Sequence, residues 1–224
     1  LHRTEQWLVL SKPQGWHVMA LQDGDPRCVE SWIRDNISEA APLPECGLVH
    51  RLDSGTTGCL VVALTRAERA RLREAFADRT QGQLHKIYWA VVRRGLSPVG
   101  KFSLYFSGRH KRSAKVTVRP RGEPNELGEC AWQVLGPSRY LGHEIVQIEL
   151  VGPGRRHQIR AGLAYGGHPL IGDSLYGGAI GAPCPVLHAK SVQIDGVIVE
   201  CPPDARFHGP GGAMPSKSPS LAAS

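Results

Sequence analysis

No apolar stretch in this sequence reaches ten residues, so no helix in it is expected to cross a bilayer. The first ten residues carry His2, Arg3 and Glu5, which is not the pattern of a secretory signal. None of the six cysteines (Cys28, Cys46, Cys59, Cys130, Cys184, Cys201) forms a C-x-x-C pair or stands at zinc spacing with a histidine. Scattered cysteines without a signal predict reduced thiols and a cytoplasmic protein, with Cys59 in the core. There is no Walker loop, no dinucleotide fingerprint and no serine nucleophile elbow. No motif thus points to a metal or a cofactor. Internal repeats are absent too, which excludes solenoids and propellers.

Turn residues are plentiful instead. The 26 glycines and 17 prolines among 224 residues point away from a helical bundle. The reading is α+β: a mostly antiparallel mixed sheet with a few flanking helices, in one domain over 1–207 and a disordered tail over 208–224. Trp7 to Leu10 reads as a strand closing in the Lys12-Pro13-Gln14-Gly15 turn. The run from Gly58 to Leu64 reads as a strand buried on both faces. Thr65-x-x-Glu68 is a capping-box pattern, and Leu72, Ala75 and Phe76 supply an apolar stripe behind it. Arg69, Arg71, Arg73 and Arg79 lie on the other face. His85 to Val92 and Tyr140 to Val151 read as strands, and 101–119 as a basic hairpin. A helix is expected over Arg155 to Tyr165, stopped by Gly166-Gly167. Asp195-Gly196 between two β-branched runs signals a two-residue hairpin.

Charge is unevenly placed. Residues 61–120 hold 14 Lys/Arg against 3 Asp/Glu, and this segment carries the whole surplus of the chain's net +7. It is either a solvated basic face or an electrostatic footprint for phosphates.

Three segments could carry chemistry. In His50-Arg51-Leu52-Asp53-Ser54-Gly55-Thr56-Thr57-Gly58, a charged trio precedes a buried strand. The Asp is either a ligand-facing acid at the lip of a sheet or a cap on local N–H groups. In Gly154-Arg155-Arg156-His157-Gln158-Ile159-Arg160, helical spacing puts Arg156, His157 and Arg160 on one basic face near a helix N-terminus. That face suits a phosphate, or is simply exposed. Tyr88, in Lys86-Ile87-Tyr88-Trp89-Ala90, is either a core tyrosine or a ring offered to a ligand. His168, Asp173 and His188 read as hydrogen-bonded structural residues.

Together these segments resemble a family. His50-Arg51-Leu52-Asp53 followed by Ser-Gly-Thr-Thr-Gly resembles the H-R-L-D-x-x-T-S-G signature of pseudouridine synthases of the RluA-like branch. Lys86-x-Tyr88-x-Ala90-x-Val92 is similar to that family's K-x-Y-x-A-x-V strand. Residues 154–160 resemble its G-R-T-H-Q-I-R. Residues 167–177 resemble G-H-P-I-x-G-D-x-x-Y-G, and Leu187-His188-Ala189 the closing L-H-A. Lys12-Pro13-x-Gly15 fits as well, and the motifs stand in the family's order over residues 5 to 203.

The resemblance implies isomerisation of a uridine in RNA. The N-glycosidic bond breaks, the uracil rotates and a C–C bond forms, with no redox step, phosphate energy or metal. Asp53 would be the essential carboxylate, attacking C1′ or removing a sugar proton, and ionised in either role. Arg160 would stand beside it and favour that ionised form. Tyr88 would stack on the uracil and assist proton transfer at the base. Arg51 would fill the space of the extruded nucleotide. His50, Arg155, Arg156, His157 and Gln158, with Lys111, Arg112 and Lys115 of the hairpin, would contact RNA. A monomer acting on transfer RNA, or on ribosomal RNA, is expected. The short lead before the first strand implies a member without the N-terminal S4 domain that many relatives carry.

Departures are few. Arg156 replaces the usual Thr, Gly162 stands where a His is common, Ser54-Gly55 is an uncommon pair, and 80–85 resemble a short insertion. They bear on substrate choice more than on the reaction. Two rival functions fit less of the sequence. A catalytically silent RNA-binding module leaves Asp53 and Tyr88 without a reason. A glycosidase usually needs two carboxylates, and no second acid has a matching motif.

Overall fold

The computed structural model describes residues 1–20, 25, 27–77, 84–108 and 114–215. In chain order its strands and helices are β1 (His2–Arg3), β2 (Trp7–Lys12), α1 (Val29–Asn36), β3 (Thr57–Ala63), α2 (Arg66–Ala77), β4 (Leu84–Arg93), β5 (Val99–Ser107), β6 (Thr117–Arg119), β7 (Leu127–Pro137), β8 (His143–Val151), α3 (Gln158–Tyr165), β9 (Leu187–Ile194) and β10 (Val197–Glu200). The class is α+β with mostly antiparallel strands, as the sequence predicts. Among the described residues no helix is long and apolar enough to cross a membrane. The chain divides into two compact units, Leu1–His85 with Ala189–Pro202, and Lys86–His188 with the remainder.

In the first unit the strands run in the order β1, β2, β3, β9, with β10 paired to β9. Every residue of β3 is buried. A strand with no polar alternation has no face to give to water, which is what the run from Gly58 to Leu64 predicts. Gly58 has φ +108°, and a Cβ there would lie 2.2 Å from the carbonyl oxygen of Ala189. The close approach of β3 to β9 therefore requires glycine at the end of the His50–Gly58 segment. Thr65 caps α2 by accepting the Glu68 N–H at 3.1 Å, and Leu72 buries the apolar stripe. Asp195-Gly196 closes the β9–β10 hairpin, with Ile194 opposite Val197.

In the second unit the antiparallel order is β4, β8, β7, β5, β6. Alternation along β4 and β8 splits the core in two. Ala90, Val92, Val146, Ile148 and Leu150 pack with Ile159 and Leu163 of α3. Trp89, Val91 and Ile145 point the other way, toward Ile171, Val186 and Phe207. β5 and β6 form the expected hairpin, Tyr105 opposite Arg119. Past His208 the chain still has structure: Arg139 N–H donates to the His208 carbonyl at 3.1 Å, and a short 3-10 turn spans Pro210–Gly212. The expected disordered tail otherwise falls on 216–224, outside the described residues.

Candidate active site

Asp53 lies in the first unit, partly exposed, directly ahead of β3. Its backbone oxygen accepts the Thr56 N–H at 3.0 Å, closing a turn. The next carbonyl, that of Ser54, is held twice: the Gly15 N–H donates to it at 2.9 Å, and the Lys12 ammonium at 3.1 Å. Lys12 is only 1% exposed and also donates to the Pro13 carbonyl at 3.1 Å. A buried ammonium must spend its donors on strong acceptors, so Lys12 fixes the Asp53 turn against β2. This gives the Lys12-Pro13-x-Gly15 motif its reason, which spacing alone does not supply.

The neighbours of Asp53 divide. Arg51 is exposed and Leu52 is buried. His50 is engaged inside the unit: its Nε2 accepts the Val61 N–H at 3.0 Å, and its ring stacks on Phe76 with centroids 4.4 Å apart. Those contacts hold the start of the segment on β3 and α2. Three of the four arginines of α2 are paired as well. Arg69 and Arg73 reach Glu45 at 2.8 and 2.6 Å. Arg71 reaches Glu68 at 2.6 Å and Asp195 at 2.7 Å. Much of the positive charge on this helix thus meets carboxylates of its own unit.

The second unit holds Tyr88 and Arg160. Tyr88 is partly buried on β4, opposite Ile148 of β8, and packs against the cluster containing Ile159 and Leu163. Arg160 is buried in α3. Its Nε donates to Asp173 Oδ2 at 2.7 Å and its Nη2 to Oδ1 at 2.9 Å. Asp173 is 1% exposed, so the fork-to-fork geometry compensates two desolvated charges. Asp173 is thus the structural residue the sequence suggests, and its partner is Arg160.

One expectation is corrected. The helix starts at Gln158, not Arg155, because His157 is left-handed at φ +55° and cannot continue an α-helix backward. Arg156 and His157 are therefore not on a helical face with Arg160, and Arg160 points into the unit. The segment has several jobs instead. The Arg155 N–H donates to Gln158 Oε1 at 2.8 Å, and Arg155 Nε to the Leu127 carbonyl at 2.9 Å. Gln158 is buried and its Nε2 donates to the Glu129 carbonyl at 2.9 Å, which ties α3 to β7. His157 Nδ1 lies 2.8 Å from the hydroxyl of Tyr176. Arg156 is exposed and Nη2 donates to the Ala114 carbonyl at 2.9 Å. Gly162 packs on Phe102 of β5: a Cβ would stand 2.4 Å from the ring. A histidine at this position is thus incompatible with the present place of Phe102. Lys115 is exposed, while Lys111 and Arg112 lie outside the described residues.

Lys86, which opens the Lys86-x-Tyr88-x-Ala90-x-Val92 segment, has a structural task that spacing does not reveal. It is buried on β4 and donates to the Gly152 carbonyl at 2.9 Å, holding the loop that leads to Arg155. Burial pushes its ammonium down to about 8 from 10.5, and pushes the nearby Cys130 thiol up to about 12. The sign follows from proton uptake. Between these two Lys86 values the unfolded chain holds the proton and the folded chain does not, so stability rises with pH there. Wild type should gain about 2 kcal/mol between about pH 7 and about pH 9.5 from this group. Urea unfolding of Lys86→Met should lack that rise, and equal pH slopes for the two proteins would overturn the assignment.

A family model described as RNA pseudouridylate synthase matches residues 6–165. The chain belongs to that family, whose motif segments are those now placed in the two units. Among curated relatives, Ribosomal large subunit pseudouridine synthase D of Xylella fastidiosa is 34% identical over 185 residues, 82% of this chain and 53% of the relative. The protein of the same name from Yersinia pestis is 31% identical over 171 residues, 76% of this chain and 50% of the relative. The chain spans about half the length of the curated relatives it matches. Two solved structures share the fold. Human RNA Pseudouridylate Synthase Domain Containing 1 has a TM-score of 0.72 at 24% identity, covering 98% of this chain and 89% of its own. Human RNA Pseudouridylate Synthase Domain Containing 4 has a TM-score of 0.71 at 22% identity, covering 91% and 88%.

Proposed function

We propose that this chain isomerises a uridine in structured RNA to pseudouridine, with Asp53 as the essential carboxylate. The observation that carries the reading is the Asp53 turn: a partly exposed Asp on a backbone pinned by Thr56, Gly15 and a buried Lys12, in a chain of this family. A rigid backbone keeps a reacting group near its productive geometry. In the roles the resemblance assigns, Tyr88 lies against the uracil and assists proton transfer, Arg160 supports turnover, and Arg51 replaces the extruded nucleotide.

Basic residues near the start of α3 and in the β5–β6 hairpin are proposed to meet the RNA backbone. Arg155 and Arg156 before α3, and Lys115 with Lys111 and Arg112 between β5 and β6, are the proposed contacts. The paired arginines of α2 are assigned no phosphate. His157 and Gln158 act from behind, by setting the start of α3, and His50 by holding the start of the Asp53 segment.

The relatives' names refer to the large ribosomal subunit, which favours ribosomal RNA over transfer RNA as the substrate. The test is to incubate the purified chain with unmodified large-subunit ribosomal RNA and with unmodified transfer RNA, and to map pseudouridine in each. New pseudouridine at a defined ribosomal position is expected. Modification of transfer RNA alone would overturn the substrate, and no modification of either would overturn the function.

A further inference from the structure

Tyr176 stands where three parts of the second unit meet. The guanidinium of Arg160 lies over its ring, 5.4 Å from the centroid. Its hydroxyl oxygen accepts the Val116 N–H at 3.0 Å and contacts His157 Nδ1 at 2.8 Å. The two rings meet edge-on with centroids 5.7 Å apart. Two residues before Val116, the Ala114 carbonyl takes the bond from Arg156. Lys115 is therefore flanked by two backbone attachments, both made by side chains from other parts of the unit. Val116 itself packs with Phe106 and Ala161.

Core packing does not require this hydroxyl. A phenylalanine would fill the same ring space, and Asp173 already balances the Arg160 charge. What the hydroxyl adds is a tether to the chain entering β6, and what the ring adds is a platform for Arg160.

We infer that Tyr176 is a positioning residue for the isomerisation: its ring holds the Arg160 guanidinium and its hydroxyl holds residues 114–116, so that the RNA-contacting entry to β6 and Arg160 keep one geometry. The inference rests on the functional reading above, because it takes Lys115 as an RNA contact and Arg160 as a group that acts on turnover. Burial pushes the Tyr176 phenol above its ordinary value, so the bridge is made by a neutral hydroxyl across the neutral pH range.

Two variants of the full chain separate the halves of the side chain. Tyr176→Phe keeps the ring and loses the tether. Amide hydrogen exchange at Val116 should then quicken at least about tenfold. KM for RNA should rise about tenfold, with kcat within about twofold of wild type. Tyr176→Leu also removes the platform, and kcat should fall by about a further tenfold. A merely structural residue would lower Tm in both variants and leave KM and kcat of the folded protein where they were, and that result would overturn the inference. So would Tyr176→Phe with wild-type exchange at Val116, or with a kcat loss as large as that of Tyr176→Leu. If wild type forms no pseudouridine on any RNA, the functional reading fails and takes the coupling with it. If wild type is active and Val116 exchange does not move, the coupling alone fails.

Discussion

Asp53→Asn is expected to abolish pseudouridine formation, by at least about 10⁴-fold in turnover, while RNA binding stays within about twofold. Asparagine has nearly the same shape, and the turn it sits on is closed by backbone groups and by Lys12, not by the Asp53 side chain alone. The backbone that presents the group should survive the change. What is lost is the negative charge: an amide neither attacks C1′ nor takes a sugar proton at neutral pH. The measurement follows from the chemistry. Forming a carbon–carbon bond at C5 of uracil expels the hydrogen there, so tritium placed at C5 of RNA uridines is released once per turnover. A filter-binding titration on the same RNA reports affinity. Release near the wild-type rate would sink Asp53 as the essential carboxylate. Free uracil in the supernatant of the wild-type reaction would point instead to hydrolysis of the glycosidic bond.

The second large effect concerns Arg160 and Asp173, and here stability and catalysis should part. Removing either partner leaves the other charge buried without compensation, which costs about 3–5 kcal/mol. Arg160→Met and Asp173→Leu should therefore each shift urea unfolding strongly. The double variant replaces a buried ion pair by apolar groups of similar size, and such replacements are often neutral or stabilising. It should recover most of the lost stability. Turnover should not recover with it, since the charge assigned a part in turnover is gone, and RNA affinity should change much less than kcat. A stable double variant with wild-type turnover would make Arg160 a structural residue only. A loss confined to affinity would make it a phosphate contact.

The elements legible in the sequence were those whose signal is local. β3 announced itself because seven consecutive residues had no polar alternative. The hairpin at Asp195-Gly196 and the Thr65 cap rest on three or four neighbouring residues, and short-range hydrogen bonds suffice to set them. Asp53 stands out as a candidate because a charged trio before an apolar strand is unusual. The start of α3 was not legible, since spacing cannot show that His157 takes a left-handed backbone; the signal available was Gly154 and Pro153 just upstream. α1 is not predicted from the sequence, although Val29, Ile33 and Ile37 recur at helical spacing. Tyr176 stood inside a quoted motif with no role attached, because its partners lie 16 residues ahead of it on α3, 19 ahead at His157 and 60 ahead at Val116.

The sequence by itself determined the α+β class, the buried strand, the family resemblance and the residues that could do chemistry. Charge shows most clearly where that reach ended. Counting gave a surplus of eleven between 61 and 120, yet counting is blind to pairing. Only the tertiary structure decided that Glu45, Glu68 and Asp195 take Arg69, Arg71 and Arg73 of α2, that Asp173 takes Arg160, and that Arg156 and Lys115 stay at the surface. The reason is physical: whether a cation is available to a phosphate depends on distance to carboxylates and on exposure, and both are set by how remote segments pack.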